Sequence, residues 1–179
     1  MLHMERKDYK LEIVGALIGN SFHARELARR LGINHMMLNR KFGELVGENV
    51  MDYRMEGRNK VYFMKDSVEA RQYIFMAEGY KLVWLLKEYS ILRGVVDVII
   101  KDKRFKVAIL FGSYAKGLAK RDSDIDIFVE TGSSRLKREL EKLNSRLSIK
   151  IGKFDGKSLL GKEILRNHVV LKGVERLYG

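Results

Sequence analysis

The 179-residue chain contains no cysteine, which excludes disulfides, thiolate-bound metals and cysteine nucleophiles together. No apolar run approaches the roughly 18 residues that a membrane span needs. The opening MLHMERKDYK lacks the apolar segment of a secretory leader. No membrane partner is expected, and a cytoplasmic location is. Glutamine is nearly absent: Gln72 stands alone among many Lys, Arg and Glu, which hints at a heat-adapted source. Acidic residues are the scarcer charge, 23 Asp and Glu against 35 Lys and Arg, so the net charge is +12. That imbalance points to a polyanionic partner, nucleic acid or nucleotide phosphate. Apolar residues make up 46%, enough to pack one domain or two small ones.

Residues 1–65 predict three short helices and a hairpin. Asp8 is placed to cap a first helix, with Leu11, Val14, Leu17 and Ile18 at helical spacing. The stretch HARELARRLGI predicts a second helix stopped by Gly32, a residue able to take positive φ. Asn34 then caps a third, roughly 35–46, that turns Met37, Leu38, Phe42 and Leu45 inward. NVMDYRM and KVYFMK alternate apolar and polar around Glu56-Gly57-Arg58-Asn59, which predicts a hairpin.

This order, most specifically SFHARELARRLGINHMMLNRKFGELV (residues 21–46), resembles the winged helix-turn-helix family. The resemblance implies that the third helix enters a DNA major groove while the wing touches backbone. His35, Met36, Asn39, Arg40 and Lys41 would then face DNA, with Arg58 and Lys60 on the wing. A scaffold or dimerisation module that kept the shape without DNA is the plainer alternative. The net charge of this segment is a modest +4.

Residues 66–103 predict a helical joint. Asp66, with Glu69 three later, has the spacing of a capping box. A long helix follows, in which Gly79 is a candidate interruption, and then a second helical piece from Ser90 to Ile100. Tyr73, Phe75, Tyr80, Trp84 and Tyr89 offer either core packing, the favoured reading, or the face of a homodimer.

Residues 104–179 carry net +8, most of the excess. They predict a small α/β unit: strands at 105–111, 124–130, 147–152 and 169–171, with helices at 112–119, 133–145 and 156–167. The nearly all-apolar first strand reads as interior and ends at Gly112-Ser113. There glycine lets backbone approach a ligand, and the next helix offers free N–H groups to phosphate. Ten residues later comes Asp124-Ile125-Asp126-Ile127. Positions two apart on a strand share a face, so the two carboxylates project together. They repel unless a cation sits between them, and magnesium bridging a nucleoside triphosphate satisfies that need.

Together these residues resemble the DNA polymerase β-like nucleotidyltransferase superfamily. Tyr114, Ala115, Gly117 and Ser123 extend the likeness to its minimal members. The whole reading is therefore an α+β or α/β two-domain chain. A winged helix (1–65) and a helical linker (66–103) precede a nucleotidyltransferase-like domain (104–179) with a mixed sheet and flanking helices. The resemblance implies that Gly112, Ser113, Lys116 and Ser123 bind the nucleotide, ATP or another NTP. It implies that Asp124 and Asp126 are catalytic and hold Mg2+. An unidentified hydroxyl would attack the α-phosphorus. Lys120 and Arg121 would help to steer the triphosphate or else belong to a solvated loop. A toxin partner is a further implication of the minimal members alone.

The family's active members carry a third carboxylate on the next core strand. Here that strand is Leu147-Ser-Ile-Lys-Ile-Gly152, and Lys150 between Ile149 and Ile151 is read as the matching position. A lysine there would either ion-pair with the aspartates in the metal's place and silence the site, or leave a metal on them with weak or altered transfer. The alternative function is thus a DNA-binding regulator whose second half is catalytically silent. Asp155 reads as a helix cap rather than a ligand, and Glu130 shares the aspartates' face but sits at the strand's end.

Overall fold

The computed structural model describes residues 7–179. The first six residues of the stretch examined for a leader lie outside them. The chain divides into two units between Ala77 and Glu78.

In the first unit, α1 (Tyr9–Leu17) starts where the Asp8 carboxylate accepts the N–H groups of Lys10 and Leu11. A three-residue strand that the pattern did not announce, β1 (Ser21–His23), leads into α2 (Ala24–Leu31). Gly32 ends α2 at φ 63°, and Asn34 caps α3 (His35–Gly47) by accepting the Met36 N–H. The hairpin follows as β2 (Met51–Glu56) and β3 (Asn59–Met64). Its two-residue loop begins with Gly57 at φ 60°, a conformation for which glycine is favoured. The sheet order is β1-β3-β2, all antiparallel. Leu27, Leu38, Phe42 and Leu45 close over Ile13, Val14 and Leu17. Three helices, a helix-turn-helix pair among them, and a two-stranded wing make this a winged helix.

The next helix, α4 (Val68–Glu88), differs from expectation in two respects. Its cap is Ser67, whose hydroxyl accepts the Ala70 N–H at 3.0 Å, and not Asp66. Glu69 instead accepts from the Asn49 side chain at 3.0 Å. Gly79 does not interrupt the helix, since one glycine costs only about 1 kcal/mol in a helix that packing otherwise supports.

The second unit continues through a short 3-10 turn (Ser90–Leu92) and α5 (Arg93–Lys101), then β4 (Ala108–Phe111), α6 (Gly112–Ala115) and β5 (Ile125–Glu130). There follow α7 (Ser134–Glu141), β6 (Leu147–Gly152), α8 (Leu159–Arg166), β7 (Val169–Lys172) and α9 (Val174–Tyr178). The sheet is mixed, ordered β6-β5-β4-β7, with β5 and β6 parallel and the other pairs antiparallel. The apolar β4 is central, as its composition predicts. Period-two alternation sends Leu110, Ile125, Ile127 and Val129 to one face, against Val95, Val96 and Ile99 of α5 and Leu140 of α7. Val107, Ile109, Phe111 and Phe128 go to the other, under Ile164 of α8. Helices on both faces thus bury the middle of the sheet. The cap of α8 is Ser158, which accepts the Gly161 N–H at 3.0 Å; Asp155 closes the preceding turn by accepting the Lys157 N–H. On the outer strand β6, the Ile149 N–H donates to Glu141 of α7 at 3.4 Å.

Candidate active site

Phe111 ends β4 opposite Asp126 of β5. The chain then turns at Gly112, φ +72°, into α6. A Cβ at Gly112 would lie 2.4 Å from Asp126 Oδ2. Glycine is therefore required twice, by the left-handed backbone and by the carboxylate that occupies the space a Cβ would need. This contact joins the Gly-Ser turn to the acidic strand.

Asp124 lies just before β5 and is exposed, while Asp126 is half-buried. Among the described residues neither carboxylate has a hydrogen bond or ion pair. Their oxygens are thus free for an external cation. No group of three or more His, Cys, Asp or Glu able to hold a metal occurs among the described residues. Two carboxylates nevertheless suit magnesium, which is typically held by one or two of them with substrate phosphates and water completing the shell.

The loop between turn and strand is held in shape by its own bonds. The Ser123 hydroxyl accepts the Lys120 N–H at 2.8 Å, and the Leu118 N–H donates to the Ser113 carbonyl at 3.0 Å. Ser123 thus has a loop-closing role in the structure. The Arg146 guanidinium donates to the Arg121 carbonyl, and the Ile125 N–H donates to the Arg146 carbonyl at 2.8 Å. Beneath the turn, Tyr114 is buried edge-on against Tyr89, ring centroids 4.9 Å apart. Lys116, Lys120 and Arg121 are exposed around the loop.

Strand register revises the expectation for Lys150. In the parallel β5–β6 pair, Ser148 lies beside Asp126, whereas Lys150 lies beside Phe128. Lys150 is exposed and, among the described residues, forms no ion pair with Asp124 or Asp126. Leu-Ser-Ile and Ile-Lys-Ile have the same apolar flanks, so only register tells them apart. Ser148 is the site residue that the sequence pattern alone passes over. Glu130 is occupied elsewhere, its carboxylate accepting the Phe154 N–H at 3.4 Å.

In the winged unit, His35, Met36, Asn39 and Arg40 are exposed on α3, and Arg58 and Lys60 on the hairpin. His35 Nδ1 and Asn39 Nδ2 are 3.2 Å apart. Lys60 Nζ sits 3.9 Å from the Tyr53 ring centroid. Lys41 differs: it is largely covered and bound to Glu44 at 2.9 Å, a carboxylate it shares with Lys10 at 3.2 Å. These cations hold the Glu44 carboxyl below its ordinary range, the Lys41 hydrogen bond acting most.

Residues 92–165 match the family model described as a nucleotidyltransferase domain. Two proteins of Methanocaldococcus jannaschii are similar. "Putative protein adenylyltransferase MJ0141" is 34% identical over 73 residues, which are 39% of this chain and 70% of that protein. "Putative protein adenylyltransferase MJ0435" is 35% identical over 75 residues, 42% and 70% of the respective chains. Among solved structures, the transcriptional repressor BigR from Xylella fastidiosa aligns with 21% identity and a TM-score of 0.35. It covers 37% of this chain and 66% of that one. Reduced HlyU from Vibrio cholerae aligns with 19% identity and a TM-score of 0.37, over 41% and 78%. The winged-helix assignment rests on element order and sheet topology, not on these distant alignments.

Proposed function

Because the chain belongs to the nucleotidyltransferase domain family, we propose that its second unit transfers a nucleoside monophosphate, AMP from ATP, to a hydroxyl on another protein. The contact between Gly112 and Asp126 carries this reading. It sets a glycine turn against a carboxylate that has no hydrogen bond or ion pair among the described residues. The names of the two archaeal relatives support a protein acceptor and an adenylyl donor.

The Gly112 and Ser113 N–H groups begin α6 and orient the β- and γ-phosphates. Asp124 and Asp126 would hold magnesium. When bound, the metal neutralises charge on the phosphate oxygens. The acceptor oxygen bonds to the α-phosphorus as the bond to the β-phosphate bridging oxygen breaks, and pyrophosphate leaves. Positioning and electrostatics supply most of the acceleration. Ser148, beside Asp126, offers no base, so the acceptor proton passes to water.

Incubation with α-phosphate-labelled ATP, magnesium and cell extract tests the reading. Labelled protein is expected from the wild type, with a loss of 100-fold or more for Asp124→Asn and Asp126→Asn together, an effect on the order of removing key electrostatic groups. Label that persists in the double variant would sink the proposal.

A DNA-binding role for the first unit fits alongside this activity. The exposed row His35, Met36, Asn39 and Arg40 and the wing-tip Arg58 support it. Lys41, tied to Glu44, contributes less.

A further inference from the structure

A second basic feature lies in the same unit, away from the Gly112 turn. Lys103, Lys106, Lys172 and Arg176 converge on a pocket of about 340 Å³ over Phe105, with Glu175 its single acidic wall. Lys106 precedes β4 and Gly112 follows it, so the length of the four-residue strand, about 13 Å, stands between them. The pocket is therefore separate from the candidate active site.

The fold assembles these cations deliberately from two distant segments. Gly173 has φ +82°, and a Cβ there would meet the Lys106 carbonyl at 2.1 Å. Only glycine lets residues 172–176 close on 103–106. Lys172 is fixed: its ammonium donates to the carbonyls of Ile100, at 2.9 Å, and Asp102. Two of its three donors are used, leaving one for a ligand. Arg104, by contrast, is spent on Asp102 and Glu139, each at 2.7 Å. The side chains of Lys103, Lys106 and Arg176 have no partner among the described residues, nor does Glu175.

We propose that this pocket docks the backbone phosphates of a single-stranded nucleic acid. Four cations facing one carboxylate are matched by anionic oxygens. Phe105 is 1% exposed, so it offers no face for stacking a base, and docking is independent of sequence. The four cations come from two short segments, residues 103–106 and 172–176, a compact patch that a flexible strand follows by bending its backbone.

The test is fluorescence anisotropy of a labelled single-stranded oligothymidylate on the full chain. The variant Lys103→Glu with Arg176→Glu is compared with Arg138→Glu with Lys142→Glu, an equal charge change on α7 and its C-cap. The pocket pair is expected to weaken binding ten-fold or more, and the α7 pair less than three-fold. The dependence of log affinity on log salt should flatten by about 1.4 for two lost contacts to a single strand. Matching melting temperatures verify folding; if the reversals unfold the chain, Lys103→Ala with Arg176→Ala carries the same comparison. Equal losses from both pairs would mean a diffuse field and overturn the proposal. Tripolyphosphate binding that the pocket pair abolishes, with oligonucleotide binding unchanged, would overturn nucleic acid as the occupant.

Discussion

At the scale of the residue, Gly112 carries the most constraint. An alanine there meets two penalties: a left-handed backbone costs a β-carbon residue about 1–2 kcal/mol, and its methyl would stand 2.4 Å from Asp126 Oδ2. The carboxylate must move. Gly112→Ala is expected to reduce labelled product 100-fold or more while lowering unfolding free energy by only about 1–2 kcal/mol, read by a transfer assay and urea melts on one preparation. Asp126 and Gly112 were legible from spacing alone, because period two and a turn glycine are local rules. Ser148 was not: Ser148 and Lys150 have like flanks, and the register with β5 that separates them is a long-range fact.

At the scale of elements, a buried polar cluster joins α4, β7 and α9. His168, just before β7, is 2.7 Å from the Tyr178 hydroxyl of α9. Its Nε2 is 3.8 Å from Glu78 of α4, which also holds Lys81 at 2.7 Å. Burial pushes the His168 pKa below its ordinary 6.5 despite Glu78, with Lys81 adding to the decrease. Backbone groups of Ile164 and Leu165 in α8 act the other way. Burial raises the Tyr178 pKa above its ordinary 10, with Glu78 adding to it. Below pH 6.5 the unfolded chain takes up a proton that folded His168 resists, so stability falls as pH drops. Above pH 10 the unfolded chain releases a proton that folded Tyr178 keeps, so stability falls again. Thermal unfolding across pH should show a plateau between these values, and His168→Gln should remove this cluster's acid limb. Helix starts at Asp8 and Asn34 were readable because caps are local. Ser67 and Ser158 displaced Asp66 and Asp155 because several polar residues precede each helix and the backbone selects one.

For the whole molecule, charge is the property most readily read from sequence, and its distribution the least. Net +12 predicts a polyanionic partner, but not that Lys41 is bound to Glu44 or that Arg104 is bound to two carboxylates. Arg40 approaches Glu44 only to 3.9 Å and its side chain is 71% exposed, so duplex DNA binding by the winged unit should rest on Arg40 and Arg58. Arg40→Ala with Arg58→Ala is expected to flatten the salt dependence by about 1.8 for two phosphate contacts, with Lys41→Ala changing it little; salt-titrated anisotropy measures both. Lys150, relieved of a role beside the aspartates, has a different consequence at this scale. It stands exposed on β6, one of the sheet's two edge strands, where Glu141 already occupies the Ile149 amide. A charge and an occupied amide on an open strand edge discourage β-pairing between copies. Placed beside Phe128 and away from Asp126, Lys150 bears on how that edge meets other chains.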